Sequence, residues 1–137
     1  MQTHKNLIVW KKSIDLVEKI YLVTRNFPKE ELYGLTSQIR RATVSIPSNI
    51  AEGHGRNSDK ELVRFLFISL GSASELETQL IISFRLGLIN ENTFSEFEQL
   101  INELIRMLTS LIRSKNNESL QNVTNLETDN NTNLISH

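Results

Sequence analysis

Apolar residues recur at helical spacing in four successive stretches of the chain, separated by polar or backbone-breaking residues. In the first, Trp10, Ile14, Val17 and Tyr21 follow at steps of four, three and four, with Leu16 and Ile20 widening the stripe. That period turns one apolar face of a helix inward. A helix is therefore predicted from about Leu7 to Phe27, stopped by Pro28, since the residue before a proline is pushed out of the helical region. Pro28 to Gly34 reads as a connection. The second stripe, Leu35, Ile39, Ala42, Ile46 and Ile50, predicts a helix from about Leu35 to Glu52 or a little beyond. Pro47 falls inside it and should bend it, because proline removes a helical hydrogen bond. Gly53-His54-Gly55 ends it.

Ser58 and Glu61 have the spacing of a capping box, which opens a third helix reaching Leu86 and stopping at Gly87. Its apolar positions include Leu62, Phe65, Leu66, Leu76 and Leu80. A fourth helix begins near Asn90 or Thr93, with Thr93 and Glu96 offering a second box, and carries Phe94, Phe97, Ile101, Leu104, Leu108 and Leu111. Past Ser114 the chain turns to Asn, Ser and Thr with scattered apolar residues, which reads as a disordered polar tail over 115–137. The expected fold is all-α: one antiparallel up-down-up-down four-helix bundle over residues 1–114, followed by that tail.

Composition adds boundaries to this picture. At 137 residues, 39% hydrophobic and 23% charged, the chain suits a single globular domain. No apolar run reaches the roughly 20 residues that a bilayer span needs, so no membrane association is expected. Met1 to Lys5 leads into no signal-peptide core, and a cytoplasmic location follows by elimination. The sequons at Asn117, Asn122 and Asn130 carry little weight without a secretory signal. The absence of cysteine excludes disulfides and thiolate metal sites.

The net charge of −1 argues against a globally basic nucleic-acid binder, yet it averages a split. Residues 1–60 hold ten Lys/Arg against six Asp/Glu, residues 61–114 four against seven, and residues 115–137 one against three. Two faces of opposite sign, or ordinary solvated helix faces, would both follow.

A polar row runs beside the apolar stripe of the second helix: Gln38, Arg41, Ser45, Asn49 and Glu52. Ser72, Glu75 and Gln79 form a matching row on the third, next to Gly71. If the two helices form a hairpin turning near Gly55-Arg56-Asn57, an Arg41–Glu75 ion pair is expected, and Gly71 would let the backbones approach. These rows read as a satisfied polar network fixing register, as a patch reserved for a subunit or ligand, or as a solvated face. The stretch from Asn49 to Arg56 ends in a glycine-flanked turn with donors suited to a phosphate, although a plain interhelical turn explains it more simply.

Nothing in the chain asks for a reaction. The Glu-x-x-His pairs of di-iron bundles and the H-E-x-x-H of zinc peptidases are absent. The three histidines, His4, His54 and His137, lie far apart in sequence and assemble no Ser/His/Asp set. No catalytic residue, cofactor or metal site is expected.

Taken in order, Trp10, Phe27-Pro28, Glu31, Tyr33-Gly34-Leu35, Gln38 to Ala42, Ser45-Ile46, Asn49 to Gly53, Arg56, Phe65-Leu66 and Gly71-Ser72 with Glu75 closely resemble one family. It is that of bacterial four-helix-bundle proteins encoded by intervening sequences in 23S ribosomal RNA genes, and the resemblance spans about Leu7 to Ser114. It implies a homopentamer arranged as a ring or barrel. A distant relative, the accessory variability protein of diversity-generating retroelements, is a similar pentamer that binds a reverse transcriptase and nucleic acid. The resemblance thus implies association with RNA or DNA and a protein partner such as a reverse transcriptase. Arg41, Asn49 and Arg56 are the matched positions suited to phosphates, with Lys11, Lys12 and Arg40 adding charge. Gln38, Ser45, Glu52, Ser72, Glu75 and Gln79 would form the structural polar network. The retroelement relatives look strongly basic, whereas this chain has a pI near 6.3, so its charge must be concentrated to hold phosphates.

Two functions compete: an oligomeric, non-enzymatic accessory protein associated with nucleic acid, and a protein-interaction scaffold with no nucleic-acid binding. Arg41, Asn49 and Arg56 exposed on one surface would favour the first, and Arg41 buried against Glu75 the second.

Overall fold

Helices form where the four apolar stripes lie: α1 Ile8–Thr24, α2 Leu35–His54, α3 Asp59–Arg85 and α4 Glu91–Ile135, in a computed structural model describing residues 3–135. Short 3-10 turns at His4–Asn6 and Lys29–Glu31 precede α1 and α2. Among the described residues there is no strand, so the protein is all-α.

The helix ends follow local chemistry. Ser58 Oγ accepts the Glu61 N–H at 3.3 Å, which caps α3. The reciprocal half of the box does not form, because the Glu61 carboxylate takes Arg64 Nε at 2.9 Å instead. At α4, Asn90 is the cap: its Oδ1 accepts the Thr93 N–H at 2.8 Å, which leaves Thr93 inside the first turn. Gly87 stops α3 with a φ of 77°, a backbone conformation that glycine adopts without strain. α4 runs on to Ile135, so residues 115–135 are helical where a disordered tail was expected. No glycine or proline follows Ser114, and without a breaker nothing ends the helix register. Ser136 and His137, the end of that expected tail, lie outside the described residues.

Leu16, Ile20, Ile39, Ile46, Ile50, Leu66, Leu76, Leu80, Ile101, Leu104 and Leu108 form the fully buried centre. The stripes of α2, α3 and α4 therefore face inward as expected, but α1 is rotated. Its buried line is Val9, Ser13, Leu16, Ile20 and Thr24, while Trp10, Ile14 and Val17 are half-buried and Tyr21 is exposed. Burial of Ser13 and Thr24 is tolerated because their hydroxyls donate to the Trp10 and Ile20 carbonyls at 2.7 Å.

α2 and α3 are bound most closely. Ser69 Oγ donates to the Ile46 carbonyl and Ser72 Oγ to Ser45 Oγ, both at 2.9 Å, and Gly53 lies against Leu62 and Phe65. Residue numbers thus rise along α2 as they fall along α3. Gly53 is the point of close approach: a Cβ there would sit 2.7 Å from Phe65 Cβ. Gly71, expected in that role, is exposed and a Cβ on it would meet nothing within 4 Å. Pro47 is buried within α2, which remains one helix from Leu35 to His54.

α1 and α4 make the thinnest contact of the four neighbouring pairs. Lys12–Glu103 and Lys19–Glu96 ion pairs bridge it, so part of the split between a basic first half and an acidic second half is neutralised within the chain. By length and composition α3 qualifies to cross a membrane, which the sequence reading did not anticipate. In this fold its apolar stripe lines the bundle core, as Leu62, Leu66, Ala73, Leu76 and Leu80 show.

Candidate functional site

The residues singled out in the sequence do not converge on one surface. Arg56 folds back onto Glu52 at 2.6 Å and lies over the Phe65 ring, so its charge is already paired. Lys12 is held by Glu103 across the α1–α4 contact, and Lys11 is exposed nearby on α1. Asn49 is half-buried and uses Nδ2 on the Ser45 carbonyl and hydroxyl, at 2.8 and 2.9 Å. In the glycine-flanked turn, Asn57 supplies the left-handed residue (φ 56°), and the His54 ring sits edge-on to His4.

The polar rows bond in pairs. Ser72 meets Ser45, and Gln79 Nε2 donates to Glu75 Oε1 at 3.2 Å. Glu52 turns to Arg56, and Gln38 stays exposed. The expected Arg41–Glu75 ion pair is absent: Arg41 is exposed and has no ion-pair partner among the described residues. The reason is geometric, since Arg41 lines a depression between α1 and the start of α2 while Glu75 Oε1 accepts from Gln79 on its own helix.

Arg40 and Arg41 do come together, in a groove of about 490 Å³ between α1 and the start of α2. Tyr21 of α1 forms one wall, Leu32 and Tyr33 of the connection close one end, and Thr36, Arg40, Arg41 and Val44 of α2 complete it. No carboxylate lines this groove. Arg40 is fixed in it: its guanidinium carbon lies 4.6 Å from the Tyr21 ring centroid and its Nε donates to Thr24 Oγ1 at 2.9 Å. A second depression continues along α1 past Tyr21 and Leu22, where Glu18 and Arg25 both line it. Leu22 is 56% and Tyr33 95% exposed, so the surface is apolar and aromatic as well as cationic.

Sequence reasoning missed most of this surface. Tyr21 was counted into the core stripe, Leu22, Arg25, Leu32 and Val44 were not singled out, and Tyr33 entered only among the residues that carry the family resemblance. One signal was available: Leu22 and Val44 lie off the apolar stripes, and Leu32-Tyr33 sits in a connection, where large apolar residues have no core to fill.

Thr36 is 3% exposed and its hydroxyl has no hydrogen-bond partner among the described residues. An unmet buried hydroxyl costs stability, so Thr36→Val is expected to raise unfolding free energy by about 1 kcal/mol in urea denaturation. A loss of stability would mean that the hydroxyl is bonded in solution.

Residues 5–110 match the family model for the 23S rRNA-intervening sequence protein. The chain belongs to this family. A solved structure from Bacteroides thetaiotaomicron, described as a protein with unknown function from the S23 ribosomal protein family, is similar to this intervening-sequence protein. The two are 25% identical with a TM-score of 0.71, and the match covers 77% of this chain and 98% of that one. No curated protein matches the chain. The family match takes in α1 to α3, the connection bearing Tyr33 and the first part of α4, and therefore all of the groove.

Proposed function

We propose that this intervening-sequence protein is a non-enzymatic, homo-oligomeric accessory protein of the cytoplasm, an up-down-up-down bundle that associates with nucleic acid through the α1–α2 groove. One observation carries the reading: Arg40 and Arg41 share a groove with Tyr21 and Tyr33 and with no carboxylate, while the adjoining depression adds Arg25 together with Glu18. Phosphate contacts dominate nucleic-acid affinity, and such a local concentration of cations compensates for a net charge of −1.

A surface suited to self-association fits the same reading. The outer face of α3 exposes Phe67, Ile68 and Ile82, a surface suited to another copy of the chain. The family resemblance implies five copies, and a ring would repeat the groove around one axis so that modest sites act together through avidity.

A protein-interaction scaffold is the second reading, with a partner such as a reverse transcriptase. It draws on the pairing of Arg56 with Glu52 and of Lys12 with Glu103, which removes two of the expected phosphate contacts.

The test is anisotropy of a labelled, structured ribosomal RNA fragment titrated with the full chain. Arg41→Ala is expected to weaken binding and to reduce the salt slope by about 1. Arg56→Ala should bind nearly as the unmodified protein does, because Glu52 already holds that charge. Absence of binding at micromolar protein in low salt would eliminate the nucleic-acid reading for this RNA and leave the scaffold.

A further inference from the structure

We infer that the groove takes an unpaired nucleotide, its base stacked on Tyr33 and its phosphate held by Arg40 and Arg41, and so selects single-stranded or looped nucleic acid over duplex. The inference rests on the nucleic-acid reading above and narrows its ligand.

Tyr33 is the first ground. Its side chain is 95% exposed at the end of the connection into α2, and its ring packs on no other aromatic among the described residues. A large ring held in water stabilises nothing in the isolated chain. Every base has a π-face, so such a ring serves as a stacking platform that tolerates any sequence.

The two arginines are the second ground. Arg40 is immobilised by the Tyr21 ring and the Thr24 hydroxyl through Nε, which leaves the outer edge of its guanidinium fork unbound. A fork ordered in advance loses little entropy when a phosphate arrives. Arg41 follows it in sequence, and neighbouring residues on a helix point about 100° apart. One cation therefore faces α1 while the other lines the groove from its solvent side.

Size and charge layout decide between ligands. The groove, about 490 Å³, is within the range of small-ligand sites and is large enough for one nucleotide. A duplex presents phosphates along two strands and calls for cations spread over a long track. The other expected cations do not supply that track, because Arg56 and Lys12 are paired within the chain at other places and Lys11 lines neither the groove nor its extension.

The experiment titrates the full chain against a labelled single-stranded RNA of about twelve nucleotides and against the same strand annealed to its complement. Tyr33→Ala, Tyr33→Phe and Arg41→Ala are compared with the unmodified chain, with melting temperature and oligomer size recorded for each. The single strand is expected to bind more tightly than the duplex. Tyr33→Ala should weaken the single strand about ten-fold through lost stacking, while Tyr33→Phe keeps it. Melting temperature should not move, since the side chain touches little of the fold. Equal binding of strand and duplex, with Tyr33→Ala indifferent, would overturn the inference and leave the nucleic-acid reading intact. Binding of neither would overturn that reading itself. A change of oligomer size in Tyr33→Ala would assign the ring to a subunit contact and also overturn the inference.

Discussion

Raising salt from roughly 50 to 200 mM is expected to weaken the binding of a short single strand about twenty-fold, although the chain is slightly acidic overall. The magnitude follows from Arg25, Arg40 and Arg41 in the groove and its extension, none of them ion-paired among the described residues, although Glu18 also lines the extension. Each phosphate neutralised on a single strand contributes about 0.7 to the logarithmic salt slope, so three contacts give a slope near 2. Net charge of −1 would suggest almost no dependence, because it averages these cations with distant carboxylates such as Glu96 and Glu103. Anisotropy titrations at four salt concentrations, with a strand short enough to occupy one groove, measure the slope directly. A slope well below about 1 would mean that the arginines do not reach phosphates. Longer strands that bridge several copies should give a steeper slope.

Gly53→Ala and Gly71→Ala are expected to change stability in opposite directions. Both glycines lie inside helices, where alanine is preferred by about 1 kcal/mol. At Gly71 nothing opposes that gain, since a Cβ would meet no atom within 4 Å. Gly71→Ala should therefore stabilise by about 0.5–1 kcal/mol. At Gly53 the new Cβ would lie 2.7 Å from Phe65 Cβ and 3.3 Å from the Leu62 carbonyl oxygen. Neither atom can rotate away, because both are fixed by the α3 backbone, so α2 and α3 must separate. Overpacking costs about 1–3 kcal/mol and is made worse here by the rigid contact, so a net loss of about 1–2 kcal/mol should remain. Urea denaturation of the two variants reads the difference. Destabilisation by Gly71→Ala would instead show that another copy covers the outer face of α3.

The contrast between the two glycines shows how far the sequence could be read. Both lie in helical segments, and either suits a close approach of backbones. Which one meets the neighbouring helix depends on a rotation about the helix axis that only packing sets. α1 shows the same effect. It carries two parallel lines, one through Trp10, Ile14, Val17 and Tyr21, the other through Val9, Ser13, Leu16 and Ile20. The second is buried, but Ser13 disguised it as the more polar of the two. A serine can occupy the core only because its hydroxyl is satisfied by the Trp10 carbonyl of its own helix.

Electrostatic partners were harder still to anticipate. Arg56–Glu52 is a local pair that helical spacing allows. Lys12–Glu103 joins residues separated by most of the bundle's chain length, and it removes a cation that would otherwise count toward a binding surface. Arg41 was expected against Glu75 and instead stands free in the groove. The groove itself draws on α1, the connection and α2, and no single segment carries its pattern.

Taken alone, the sequence was enough to establish four helices, the start of the third at Ser58 and its stop at Gly87, the inward faces of α2, α3 and α4, and the family. These depend on periodicity, capping and backbone freedom, which act within a few residues and leave a local signature. Tertiary structure decided the rotation of α1, the glycine at which α2 and α3 touch, the pairing of Lys12 and the gathering of Tyr21, Tyr33, Arg40 and Arg41. Each of these is a contact between residues on different elements, and its geometry exists only once the helices have packed.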